Sequence, residues 1–239
     1  MKKVLLSLII FCSISSFAQK GFQVGVSGKV LTSSIVNQNL WGVGIDYDYV
    51  FTSGSGGGLD IGYNFTKNFG LYTGIGTIKL GQKYSDEINN NMMERELKLK
   101  YNIIPVMLKF NGVNEGVNFI CGIGIEYAIA NDVSQTWTKD GEPYYEAGVN
   151  PITGNEFAYS APDVTDRFES SDIFGVFEIG VRIPIIEQLY INTTINACYG
   201  LKDINHEDWK IEDSDRNYNP SHNAYGAFKV GISYLVFGE

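Results

Sequence analysis

The sequence predicts an all-β fold: an eight-stranded antiparallel up-and-down transmembrane β-barrel, with short turns at one end and long loops at the other. Three observations carry that expectation. Apolar and polar residues alternate with a period of two in segment after segment, the composition favours strands over helices, and short connections alternate with long ones along the chain. Only 19% of residues are charged, whereas 27 Gly, 15 Tyr and 14 Phe suit strands and turns, because aromatic side chains pack well on a pleated surface.

The first eighteen residues read as an address. Lys2 and Lys3 precede an apolar run at 4–11, and Ser16-Phe17-Ala18 ends the segment with small residues where a signal peptidase reads them, leaving Gln19 as the expected new N-terminus. The run is far shorter than the roughly 20 residues a spanning helix needs. The expected division is a signal peptide at 1–18 and one barrel domain at 19–239. The formal charge of −9 becomes −11 once Lys2 and Lys3 leave. With no basic stripe to neutralise phosphates, that balance excludes nucleic acid as a partner. Cys12 departs with the signal, and Cys121 and Cys198 fall on opposite faces of their strands, so no disulfide is expected.

Taken in order, the first strand carries Phe22, Val24, Val26 and Val30 on one face and Gln23, Gly25, Ser27 and Lys29 on the other. In the next, Leu59, Ile61, Tyr63 and Phe65 oppose Asp60, Gly62 and Asn64. A glycine-rich strand over 69–80 follows with a blurred phase. Further on, Phe119, Cys121, Ile123, Ile125, Tyr127 and Ile129 oppose Asn118, Gly122, Gly124 and Glu126. Ile173, Phe177, Ile179, Val181 and Ile183 oppose Glu178, Gly180 and Arg182. Leu189, Ile191, Ile195 and Tyr199 oppose Asn192, Thr194 and Asn196, and the last strand sets Phe228, Val230, Ile232, Tyr234 and Val236 against Lys229, Gly231 and Ser233.

The segment 97–110 departs from this regularity. Leu97, Leu99, Tyr101 and Ile103 share a face opposite Lys98, Lys100 and Asn102, but beyond Pro105 the apolar phase flips to Val106, Leu108 and Phe110. One extra residue near Ile104-Pro105, a β-bulge, accounts for the flip and suits a residue without an N–H.

Short connections are expected at 66–68, 111–116 and 184–188, and long ones at 33–55, 81–96, 131–171 and 201–222. That rhythm is the layout of outer-membrane barrels, with periplasmic turns and extracellular loops. Strands of roughly 9 to 12 residues match a tilted membrane crossing. Aromatics at Phe22, Tyr63, Phe65, Phe69, Phe110, Phe119 and Phe237 fall near strand ends, where interfacial girdles belong. Lipid against the apolar faces requires the opposite faces, with Asp60, Glu126, Glu178, Arg182, Lys98, Lys100, Lys109 and Lys229, to fill the interior and pair.

The signal ending Ser16-Phe17-Ala18-Gln19, the segment from Leu99 through Ile104-Pro105 to Phe110, and the final strand from Lys229 to Phe237 resemble the PorT-like outer-membrane β-barrel family. The resemblance spans the mature chain and implies a barrel in the outer membrane of a Gram-negative bacterium. It also implies, through one family member, a role in a protein-secretion or envelope-assembly apparatus.

Candidate sites are few. An eight-stranded interior is just wide enough for side chains to fill, so Glu126, Glu178, Arg182 and Lys229 are expected to form a structural plug rather than an ion path. His206 and His222, with Glu207, Asp208 and Ser221 nearby, raise a lipid- or peptide-processing hydrolase, but no spacing places a base against a nucleophile. The run Glu212-Asp213-Ser214-Asp215 lacks the glycine and distal Glu of a calcium loop and is expected to be solvated. Trp137, Tyr144, Tyr145, Phe157, Tyr159 and Trp209 make the longest loops aromatic, either as a binding surface or as a cap on the barrel mouth. The expectation is a non-enzymatic integral membrane protein with no catalytic, cofactor or metal residues. Its partners are outer-membrane lipid and envelope or extracellular proteins that meet its loops.

Overall fold

The computed structural model describes residues 21–37, 48–50, 52–88, 90–112, 116–212 and 217–238. The signal segment at 1–18, Gln19, Asp213-Ser214-Asp215 and the side chain of Phe237 lie outside what is described. Eight strands form the body: β1 (Gly21–Asn37), β2 (Thr52–Asn64), β3 (Phe69–Ile88), β4 (Asn91–Asn111), β5 (Asn118–Lys139), β6 (Ser171–Ile186), β7 (Leu189–Gly200) and β8 (Ser221–Gly238). Each pairs antiparallel with its neighbour in sequence, and β8 returns to β1 from Gly21↔Gly238 to Asn37↔Ser221. The sheet therefore closes on itself. Closure leaves no unpaired edge, the condition for placing strands in hydrocarbon.

Alternation along the strands sets two faces. In the half of the barrel nearer the short turns, the outward face is apolar and open: Val30 and Ile123 are each 64% exposed, and Leu71, Val106, Ile179 and Ile232 join them. On β5 this band runs from Phe119 to Ile129, ten residues along the strand. At about 3.4 Å per residue and a tilt near 40°, that is a height of about 26 Å, the thickness of an outer-membrane apolar belt. Gly21 at the start of β1 and Gly238 at the end of β8 lie at the short-turn end, which is thus the periplasmic side.

The phase of hydrophobicity inverts above the belt. Along β4, residues 97, 99, 101, 103, 105, 107, 109 and 111 point inward without interruption, while 98, 100, 102, 104, 106 and 108 point outward. Its register with β3 is also continuous, from Phe69↔Phe110 to Ile88↔Asn91. The bulge expected near Ile104-Pro105 is therefore absent from β4. What changes there is the solvent: below Ile104 the outside is lipid and must be apolar, whereas above it the outside is water and the apolar residues turn inward. Pro105 instead opens the ladder locally, since pairing with β3 lapses between Thr73↔Val106 and Gly76↔Ile103. Thr73 Oγ1 donates to the Pro105 carbonyl at 2.8 Å across that gap. A true irregularity sits on β5, where the partners of Lys100 and Tyr101 step from Asp132 to Ala130 and leave Asn131 unpaired.

The inversion has a second consequence. The strands do not stop at the membrane but run on, to 20, 21 and 22 residues in β3, β4 and β5. The expected long loop at 81–96 is a tight hairpin of extended strands, with Asn90 at φ 63° in its turn. The one expected from 131 begins only after Lys139. Ile78, Leu97, Leu99, Tyr101, Val133 and Phe174 pack inside this upper barrel, each essentially buried. Lys98 and Lys100, expected inside, face outward into water, and Lys98 Nζ lies 3.2 Å from Glu96. Cys121 and Cys198 face opposite sides, outward and inward, and both are free thiols.

Candidate functional site

The interior offers two places of different character. In the membrane half, inward residues form a lattice of paired charges. Lys29 Nζ lies 3.5 Å from Glu126, Lys109 Nζ 2.7 Å from Glu178, and Lys229 Nζ 3.1 Å from Asp60. Tyr225 donates to Glu126 at 2.7 Å and Ser27 to Asp60 at 2.7 Å, while Thr194 and Asn196 each reach Glu178 at 3.3 Å. Arg182 donates to Asn192 at 2.9 Å and Gln23 at 3.2 Å, with Tyr190 against its face. The cavities left between these groups measure about 40 and 50 Å³, room for a few waters each. Glu126, Glu178, Arg182 and Lys229 are thus brought together as hydrogen-bonded partners, as a plug requires. Charges in this setting are costly unless paired.

At the extracellular mouth the chemistry differs. Inward positions at the tops of β3, β4 and β5 align Tyr84, Arg95 and Trp137 as direct cross-strand neighbours. The Arg95 guanidinium lies 5.4 Å from the Tyr84 ring and 5.8 Å from that of Trp137, and its Nε donates to Gln135 at 3.0 Å. Over this row fold the two long connections. Residues Ala147–Val149 and Glu156–Ala158 pair as a small hairpin, and Thr165–Arg167 and Glu207–Trp209 are single 3-10 turns. Main-chain bonds tie these segments to the barrel: Ala161 exchanges both bonds with Gln135, and Val164 N–H donates to Val133. The His206 N–H donates to the Arg167 carbonyl at 3.0 Å, and Asn150 Nδ2 to the Asp208 carbonyl at 2.8 Å, so the two connections also hold each other.

Aromatic rings line the inside of this crown. Phe157 meets Trp209 at 5.0 Å and Tyr159 at 5.2 Å, and Tyr159 meets Trp137 at 5.5 Å. Tyr145 stands apart, 77% exposed. The loop aromatics therefore pack on one another and at the same time wall a cavity of about 310 Å³. Arg167 enters it from its 3-10 turn, with Trp209 at 4.7 Å and Phe157 at 5.2 Å and one bond to the Ala158 carbonyl at 2.8 Å. Burial pushes its guanidinium below the ordinary pKa, Asp166 opposes this, and Arg95 pushes it further down. On the same rim, burial and the Asp203 carboxylate, which accepts from Tyr218 at 2.6 Å, raise the Tyr218 phenol above its ordinary value.

The sequence pointed to the rings and passed over the two arginines. Arg95 lay in a segment read as loop, although it keeps phase with Leu97 and Leu99, and that phase alone puts it inside. Nothing local marks Arg167, because the fold of a long connection delivers it. The histidines do not meet a nucleophile. His206 is half exposed and lies 3.6 Å from Asp208, and His222 stacks on Tyr199 at 5.5 Å. Among the described residues neither bonds a serine hydroxyl, and no group of three or more His, Cys, Asp or Glu is placed to hold a metal.

The family model described as outer membrane protein beta-barrel domain matches residues 4–234 of the chain. No curated protein matches it at a significant level. Among solved structures, neisserial surface protein A is similar at 10% identity, covering 92% of this chain and 99% of that one, with a TM-score of 0.47. OprG from Pseudomonas aeruginosa is similar at 13% identity over 91% and 96%, with a TM-score of 0.42. Ail from Yersinia pestis, solved in complex with the heparin analogue sucrose octasulfate, is similar at 13% identity over 90% and 98%, with a TM-score of 0.40.

Proposed function

This chain belongs to the outer membrane protein β-barrel domain family, and on that premise we propose that it is a non-enzymatic surface-binding protein. The lipid-anchored barrel is plugged, and the walled cavity of its extracellular crown receives ligands or the exposed groups of envelope and extracellular proteins. The observation that carries this reading is the contrast between the two halves of the interior. In the membrane half each lysine is matched to a carboxylate and little room is left. The crown keeps about 310 Å³ of space behind aromatic walls, within the usual size of a ligand cavity. Residues 1–18 act as a cleaved export signal in the same reading, and 19–239 as the mature barrel.

The hydrolase reading gains little from the rim, since His206 and His222 meet no serine among the described residues. A part in a secretion or envelope-assembly apparatus, which the PorT-like resemblance suggests, would use apolar groups exposed at the short-turn rim. Val117, Ile185 and Ile186 are such groups, but they stand at the level of the lipid interface, where apolar and aromatic girdles belong.

Two experiments test the proposal. In planar bilayers a plugged barrel passes no steady current, and a steady current overturns that half. The refolded mature chain is also melted against a panel of neutral, anionic and cationic sugars and ring compounds, with loss of the folded gel mobility as readout. A compound that raises the melting temperature of the intact chain, and not of a chain with residues 145–158 replaced by a two-residue turn, supports surface binding. A panel with no such compound overturns it.

A further inference from the structure

We propose that the crown cavity binds a ring-bearing organic anion, with its carboxylate, sulfate or phosphate group drawn to Arg95 and Arg167 and its ring set against Trp137, Phe157 and Trp209. This inference rests on the surface-binding reading and names the ligand class for it.

Charge is the first ground. The chain carries a formal charge of −9 with 27 acidic residues, yet the described residues lining the cavity include two arginines and no Asp or Glu. The second ground is unspent hydrogen-bonding capacity. Arg167 is only 9% exposed, and its guanidinium spends one bond on the Ala158 carbonyl. Among the described residues no carboxylate stands within ion-pair distance of it. A guanidinium has five N–H donors, so most of its donors remain available to a ligand. With Phe157 and Trp209 against its face, what it offers a ligand is its N–H edge, the part that grips a carboxylate or phosphate in two-point fashion. Trp137 adds another donor: its Nε1 is buried and finds no partner among the described residues. Asp166 offsets part of the Arg167 charge from outside the cavity lining and Arg95 presses on it from within; the donors left over on Arg167 and Trp137 are completed by an anion.

Size and surface supply the third ground. A space of about 310 Å³ sits at the small end of ligand cavities, large enough for a ring with an acidic substituent. Aromatic walls favour a planar or sugar ring over a bare inorganic ion, whose hydration they cannot replace.

The test titrates the folded mature chain in detergent with phenyl phosphate, inorganic phosphate and benzyl alcohol. Binding is read by calorimetry and by tryptophan fluorescence, with Trp41 replaced by phenylalanine so that Trp137 and Trp209 report. Phenyl phosphate is expected to bind saturably, inorganic phosphate at least about 10-fold more weakly, and benzyl alcohol more weakly still. Arg167→Met and Arg95→Met are each expected to weaken phenyl phosphate binding about 10-fold or more, as the loss of a charge-assisted hydrogen bond implies. Both are expected to keep the gel mobility of the folded barrel. Should Arg167→Met fail to fold, Arg167→Lys replaces it, with binding intermediate between the arginine and the Arg95→Met variant. Benzyl alcohol binding as well as phenyl phosphate overturns the inference, as do variants that bind unchanged. A neutral or cationic compound that protects the crown while phenyl phosphate does not overturns the anion class and leaves surface binding standing. If no compound protects it, both fall.

Discussion

Replacing Lys109 with methionine should cost this barrel several kilocalories per mole, and the reason is the carboxylate left behind. Glu178 is 3% exposed at its side chain and sits 2.7 Å from the lysine ammonium. Its remaining hydrogen-bond partners are Thr194 and Asn196, both neutral and both at 3.3 Å, and the Lys229 ammonium, paired with Asp60, acts on it only from farther off. A buried charge stripped of its ionic partner costs about 3–5 kcal/mol. Lys109→Met also loses the contact of the ammonium with the Tyr72 ring at 5.0 Å, worth about 0.5–2 kcal/mol. If the stranded charge is the main term, neutralising it should return most of the loss. Lys109→Met/Glu178→Gln keeps an acceptor for Thr194 and Asn196 without the charge, and is expected within about 2 kcal/mol of the parent, the residue being the lost ring contact. The assay is equilibrium urea unfolding in lipid vesicles, with the folded fraction read as unboiled gel mobility. A single variant destabilised by less than about 1 kcal/mol, or a double variant no better than the single, refutes the paired lattice as the account of the interior.

Other consequences follow from the two faces and from the crown. Ile123→Arg, in the middle of the lipid-facing band, should lose about 2–4 kcal/mol in the same unfolding assay, whereas Thr136→Arg, on the same strand above the band, should stay within about 0.5 kcal/mol. Gly62→Val should destabilise by about 2–4 kcal/mol: its Cβ would collide with the Tyr72 ring, whose hydroxyl lies 2.7 Å from Asn64 and 3.0 Å from Gln23. At high pH the Tyr218 rim should loosen. Its folded pKa is raised above the ordinary 10.0, so the stability its protonated phenol gives is complete below pH 10 and is lost as pH rises beyond. Hydrogen exchange at Asn205 and Ser221 should show this in the parent and not in Tyr218→Phe.

How much of this was legible in the sequence depended on what surrounds each segment. Where lipid lies outside and polar groups inside, alternation is strong, and β1, β2, β5, β6, β7 and β8 could be read with their faces correctly assigned. The charge pairing followed too, because Glu126, Glu178, Arg182 and Lys229 share the inward phase and a narrow barrel leaves them no other environment. Above the membrane the same backbone carries the opposite pattern. Ile103 and Ile104 mark the change on β4, and reading it as a backbone irregularity mistook a change of solvent for a change of geometry. That one assumption also turned the upper parts of β3, β4 and β5 into loops, put Lys98 and Lys100 inside, and hid Arg95. Arg167 is a different case. Its position beside Phe157 and Trp209 depends on contacts far apart in the chain, which no local pattern encodes.

The central claim is that the inversion along β4 is the outer edge of the membrane, with a water-surrounded barrel and its crown beyond it. Spin labels placed singly at the outward positions Lys98, Lys100, Asn102, Ile104, Val106 and Leu108, with Cys121 and Cys198 replaced by alanine, measure this directly in lipid vesicles. Labels at 98, 100 and 102 should be relaxed by a water-soluble nickel chelate, and those at 104, 106 and 108 by oxygen, with the crossover between Asn102 and Ile104. A uniform accessibility along the six positions, or a crossover near Lys98 or Leu108, would contradict it.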